Sequence, residues 1–133
     1  MTEKEMNCAR ELKKRIRELE WNLKALSKAA ENLVPALDGL PHSKEIKSRV
    51  EKIALSIAEK ETELANFREQ FIKAALDLNN KIENAPLTSQ EKTVLSLRYV
   101  SCMTFRDIWL NLETSDAKVF YLHRSALKKF LKN

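Results

Sequence analysis

Glycine is almost missing from this chain, with one in 133 residues, and proline occurs three times. A sheet protein of this size draws on glycine for hairpins, bulges and tight turns, so β and α/β folds are disfavoured. Cysteine is equally scarce. Cys8 and Cys102 stand far apart, with no CxxC and no neighbouring histidine, which leaves neither a disulfide framework nor a zinc motif. No apolar run approaches the roughly 20 residues of a membrane span, and the chain is charged from Glu3 onward, unlike a secretory leader. A reduced cytoplasm is the expected compartment. No P-loop, GxSxG or HExxH occurs, and carboxylates such as Glu61 and Glu63 belong to solvated helix faces. The expectation is a protein that is not an enzyme and carries no cofactor or metal.

What is present is apolar (44%) and charged (32%) sequence in long A/E/K/L/R-rich stretches, the composition of extended helices. The predicted fold class is all-α. The formal charge of +5 is unevenly placed: residues 1–85 hold 16 basic and 15 acidic side chains, whereas residues 86–133 hold 8 and 4. The positive excess lies at the C-terminal end, and it admits a polyanionic partner.

Two long helices are predicted in residues 1–85, as an antiparallel coiled-coil hairpin. Leu12, Ile16, Leu19, Leu23, Leu26, Ala30 and Leu33 alternate spacings of three and four, a heptad seam. Pro35, Gly39 and Pro41 interrupt it, so the first helix should end near Val34. Ser43 is placed to cap a second helix reaching about Asn84, whose seam runs Ile46, Val50, Ile53, Ile57, Leu64, Phe67, Phe71, Ala74 and Leu78. A helix about 60 Å long needs an apolar partner along its seam. If the turn centres on Gly39, residue i of the first helix faces about residue 79 minus i of the second. Lys60 then falls opposite Leu19, where it either reaches Glu18 or Glu20 and fixes the register or extends its ammonium to water. Two helices make a thin core, so a homodimer through the hairpin is expected. Trp21, off the seam, would be exposed in a lone hairpin, so it either supports the dimer or is partly buried against the C-terminal module.

A second, compact module is predicted over residues 86–133. Thr88-Ser89-Gln90-Glu91 is a capping-box sequence opening a short helix to about Tyr99. Thr104 can cap a second through Leu112, and Thr114 or Ser115 a third from Asp116 to about Leu131. Ile108, Leu112, Val119 and Leu122 fall at the four apolar positions where a helix-turn-helix packs its first helix across its second. With Val119, Leu122 and Ala126 inward, the last helix points Asp116, Ala117, Phe120, Tyr121, Arg124 and Lys128 outward.

That outward face suits the major groove of duplex DNA. Ser115, Asp116, Ala117, Lys118, Phe120, Tyr121, Arg124, Lys128 and Lys129 form the candidate DNA-binding set. Arg124 can make paired bonds to guanine, while Lys118, Lys128, Lys129 and Lys132 suit phosphates, which give affinity without sequence information. His123 is expected to be a half-buried packing residue or a phosphate contact, and His42 carries no assigned role. Phe120, Leu127 and Leu131 form a second apolar stripe that either docks on the long helices or contacts RNA polymerase or a second copy.

Residues Leu87 to Leu131 resemble region 4 of the bacterial sigma factors, through LTSQEKTVLSLRY (Leu87–Tyr99), Thr104-Phe105-Arg106-Asp107-Ile108, and SDAKVFYLHRSALKK (Ser115–Lys129). The chain is also similar to small ArpU-type transcriptional regulators of phages of Gram-positive bacteria. The resemblance implies a phage or prophage regulator of transcription, acting on DNA, with RNA polymerase as a further candidate partner. Two positions depart from the motif. Trp109 stands where a small residue usually lies under the helix crossing, implying an altered crossing. Glu113 stands where the turn usually has glycine, which adopts that conformation more cheaply. The alternative is an interaction protein, such as an adaptor on RNA polymerase, whose helix-turn-helix no longer binds DNA.

Overall fold

The structure, a computed structural model, describes residues 2–33 and 43–131. Among the described residues the protein is all-helical, with no strand. Five α-helices follow one another: α1 (Glu3–Leu33), α2 (Ser43–Glu83), α3 (Ser89–Leu95), α4 (Phe105–Asn111) and α5 (Asp116–Leu131). A π-helical turn, Ser96–Val100, continues α3 past Leu95. The expectations for Val34, Pro35, Gly39, Pro41, His42 and Lys132, and for the side chain of Ser43, lie outside the described residues.

The chain clusters into two compact units, one made of residues 14–69 and the other of the described residues of 1–13 and 70–133. In the unit of residues 14–69, Ile16, Leu19 and Leu64 are buried, as the heptad seams require. Trp21 is exposed. Lys60 does not hold the register through Glu18 or Glu20. Glu18 pairs with Arg15 at 3.5 Å and Glu20 with Arg68 at 3.1 Å, and among the described residues Lys60 makes no ion pair. Arg15 also pairs with Glu63 at 3.6 Å and lies over the Phe67 ring at 5.9 Å, so arginines rather than Lys60 engage the acids across these two helices. Lys60 is half-exposed.

The other unit does not begin at residue 86, because the ends of both long helices belong to it. Met6 of α1 and Leu78 and Ile82 of α2 form one core with Leu95, Tyr99, Ala126 and Phe130. The helices α3 and α4 have seven residues each and bury little surface alone. Met6 and Ile82 are fully buried, and each such side chain contributes about 1.5–3 kcal/mol. A second cluster, Val94, Ile108 and Val119, joins α3, α4 and α5. The first core fixes one end of α5 and the second fixes its beginning.

Candidate nucleic-acid interface

Each short helix starts on a side-chain cap. The Thr88 hydroxyl accepts from the Glu91 amide at 3.2 Å and the Glu91 carboxylate accepts from the Thr88 amide at 3.0 Å, the reciprocal pair that the sequence predicts. The Thr104 hydroxyl accepts from the Asp107 amide at 3.1 Å to start α4. For α5 the capping residue is Ser115, whose Oγ accepts from the Lys118 amide at 3.2 Å. Ser115 therefore serves the helix terminus.

The turn between α4 and α5 explains Glu113. Its φ is 52°, in the left-handed region. The Thr114 amide donates to the Trp109 carbonyl at 3.1 Å and the Glu113 amide to the Leu110 carbonyl at 3.4 Å. This is a Schellman ending, in which the left-handed residue is usually glycine because a Cβ crowds the adjacent carbonyl. Cys102 ends the preceding helix likewise, with φ 60° and the Met103 amide donating to the Leu97 carbonyl at 2.9 Å. The sequence predicts the first conformation from the missing glycine and offers no sign of the second.

Ile108 and Val119 are fully buried against each other and Val94, and Leu122 packs half-buried beside them. Leu112 departs from the expected four-residue packing set. It is 38% exposed, because the helix ends there and the reversal carries its side chain to the rim. Trp109 lies at the edge of this cluster, its ring 6.2 Å from that of Phe120. Phe105 also meets Phe120, at 5.0 Å between ring centroids. A large side chain is accommodated at position 109 because Phe120 gives it an aromatic neighbour outside the close crossing of Ile108 and Val119.

The predicted interface residues separate into two groups. Asp116, Ala117, Lys118, Phe120, Tyr121, Arg124 and Lys128 are all exposed. Among the described residues Lys118, Arg124 and Lys128 form no ion pair. Lys118 lines a pocket of about 220 Å³ with Ser89, Gln90, Thr93, Thr114 and Leu122. Asp116 accepts from the Ala117 amide at 2.7 Å, so this acid is tied to the first turn of α5. Lys129 is exposed as well, but it has an acid partner. Its ammonium donates to the Glu91 carboxylate at 2.9 Å, which makes it a structural cation.

Glu91 is the charged residue that the sequence does not mark as internal. It is 2% exposed. Burial alone would raise its pKa, but hydrogen bonds from the Thr88 amide, Lys129 and Ser125 outweigh burial and hold the carboxyl at about 2. The apolar stripe expected over Phe120, Leu127 and Leu131 is divided as well. Leu127 and Leu131 pack on the core that contains Phe130, while Phe120 belongs to the aromatic group at the other end of α5.

His123 takes the packing role. Its Nε2 lies 2.8 Å from the Tyr99 hydroxyl, its ring stacks with that of Tyr99 and it meets Phe105 edge-on at 4.9 Å. Burial, then the charges of Arg98 and Arg10, push its pKa below the ordinary histidine value. Arg98 lies over the Phe105 ring at 4.1 Å and donates to the Met103 carbonyl at 3.0 Å. It braces the bend before α4, a role with no signal in the sequence beyond a lone cation on an apolar helix.

Among the described residues no group of three or more His, Cys, Asp or Glu side chains is placed to hold a metal ion, and no helix is long and apolar enough to cross a membrane. Comparison with curated proteins and with solved structures finds no match. The model of one family, described as a protein of unknown function (DUF1492), matches residues 44–131, most of α2 and all of the three short helices. The chain belongs to that family.

Proposed function

We propose that α4 and α5 act as a helix-turn-helix of the sigma region 4 kind and that the protein is a DNA-binding regulator of transcription, of phage or prophage origin. One observation carries this reading: the outward face of α5 presents Lys118, Arg124 and Lys128 to solvent with no acidic partner among the described residues, while the opposite face holds the core. Counter-charged phosphates satisfy such cations, and an exposed helix of this width enters the major groove. Arg124 reads a base edge, and Lys118 and Lys128 contact phosphates. The hydroxyls of Ser89 and Thr114 around the Lys118 pocket are further donors suited to the DNA backbone. Lys129 takes no part, since Glu91 holds it. The two long helices supply dimerisation.

Selection of genomic fragments with the purified full-length protein tests the reading. Enriched duplexes should bind with log K falling against log salt by about 0.9 for every phosphate contact. Failure to retain any duplex at low salt overturns it.

A second reading has its own observation. Leu110, Leu112, Phe120 and Tyr121 are exposed apolar side chains of the same module, a composition that suits a protein surface such as RNA polymerase. Binding to polymerase without any binding to DNA would favour that adaptor.

A further inference from the structure

We propose that Ala117 and Tyr121 recognise the C5-methyl groups of thymines in the DNA that α5 binds, an inference that rests on the DNA-binding reading and names the base chemistry it selects. Val119, Ala126 and Phe130 mark the buried side of α5. Opposite them, at spacings of four, three and four, run Ala117, Tyr121, Arg124 and Lys128. All four are exposed. The stripe changes character along the helix: Ala117 and Tyr121, nearer its start, are an apolar and an aromatic side chain, and Arg124 and Lys128 are cations.

Guanine and phosphate suit the two cations and leave the first half of the stripe unassigned. Tyr121 keeps 68% of its surface in water, and among the described residues it makes no hydrogen bond and no ring contact. Phe120 differs, because the rings of Phe105 and Trp109 engage it from within the module. On the base edges of the major groove the methyl of thymine is the apolar group, and it is met by contact with small or aromatic side chains. Ala117 carries nothing beyond Cβ, so the start of α5 can approach a base pair closely, and the Tyr121 ring can cover a methyl one turn later. The helix geometry also places these thymines. At about 1.5 Å per residue, Tyr121 lies about 4.5 Å and Ala117 about 10.5 Å before Arg124 along the axis, and base pairs repeat about every 3.4 Å. With α5 lying along the groove, the recognised thymines stand within about three base pairs of the guanine that Arg124 contacts, and on one side of it only.

The test uses the full-length protein and a duplex selected from amplified genomic fragments, in which thymine is the sole base with a C5-methyl group. Each thymine is replaced in turn by deoxyuridine, which removes the methyl and keeps the pairing edge, and affinity is read by anisotropy. At one or two positions in the stated window the wild type should lose about fourfold per methyl, and thymines elsewhere should be neutral. Tyr121→Ser should abolish the uridine penalty at one position, Ala117→Ser should abolish it at another, and Tyr121→Phe, which retains the ring, should keep it. Helical circular dichroism should be unchanged in all three. Uridine duplexes that bind like the thymine duplex, penalties on both sides of the guanine, or a penalty that survives both serine variants overturns the proposal while leaving DNA binding by α5 in place. Retention of no duplex at low salt overturns both readings together.

Discussion

Lys129 places its ammonium 2.9 Å from the carboxylate of Glu91, a residue 38 positions earlier that also caps its own helix. Ser125 donates to the second carboxylate oxygen at 2.8 Å, so one buried acid ties the start of α3 to the last turns of α5. Hydrogen bonds to a charged group contribute about 1.5–3 kcal/mol, and Glu91→Gln should destabilise the protein by an amount of that order. The sign of the pH effect follows from the lowered pKa, about 2 in the folded protein against 4.5. The contribution is complete above the unfolded value and is lost as pH falls through the folded one. Urea denaturation across that acid range should show declining stability in the wild type and a flatter profile in Glu91→Gln.

The same pair explains what could be read from residues alone. Thr88 and Glu91 announce a capping box through their spacing of three, because a helix start is a local event. That Glu91 would also receive Ser125 and Lys129 depends on how α3 crosses α5, which no local pattern records. Lys129 and Lys128 look alike in the sequence and both are exposed, yet Lys129 reaches the buried carboxylate of Glu91 whereas Lys128 has no acid partner among the described residues. Leu112 fails for a related reason: spacing assigns a face only while the helix continues, and α4 ends at Asn111. Phe130 and Met6, at the ends of their helices, gain their burial only from distant elements.

Glu113 stores strain that a single substitution releases. A left-handed residue with a Cβ costs about 1–2 kcal/mol, and φ is 52° here. Glu113→Gly should raise stability by about 1 kcal/mol, partly offset by the added freedom of glycine in the unfolded chain. Glu113→Val should lower it, since a β-branched residue fits this region worst. Thermal denaturation of the three proteins gives the order Gly above Glu above Val, and any other order contradicts the Schellman assignment.

His123 titrates below its ordinary value, chiefly through burial and then through Arg98 and Arg10. The unfolded chain therefore takes up its proton first as pH falls. Stability should decline below the ordinary histidine pKa of about 6.5 and continue to do so until the folded protein is protonated as well. His123→Gln should flatten this part of the profile. Tyr99→Phe removes the hydroxyl that meets Nε2 at 2.8 Å and should cost about 1 kcal/mol. Proton NMR of the imidazole signals reads the His123 pKa directly.

Arg124 and Lys128 lie on the exposed face of α5, one helical turn apart, and the proposed function gives them different tasks. A guanidinium can engage guanine through two parallel bonds, so Arg124→Ala should relax preference at one base position by about 1–3 kcal/mol. An ammonium against a phosphate contributes equally to every sequence. Lys128→Ala should therefore weaken all duplexes alike and reduce the salt slope by about 0.9. Neither change should move stability by more than about 0.5 kcal/mol, because both side chains are exposed and unpartnered by acids. Lys129→Ala is the internal contrast: it should lower stability through Glu91 and leave the salt slope of the folded protein unchanged. Anisotropy titrations with a selected duplex and a scrambled one separate the three. If Arg124→Ala and Lys128→Ala both bind as the wild type does, the outward face of α5 is not the surface that meets DNA.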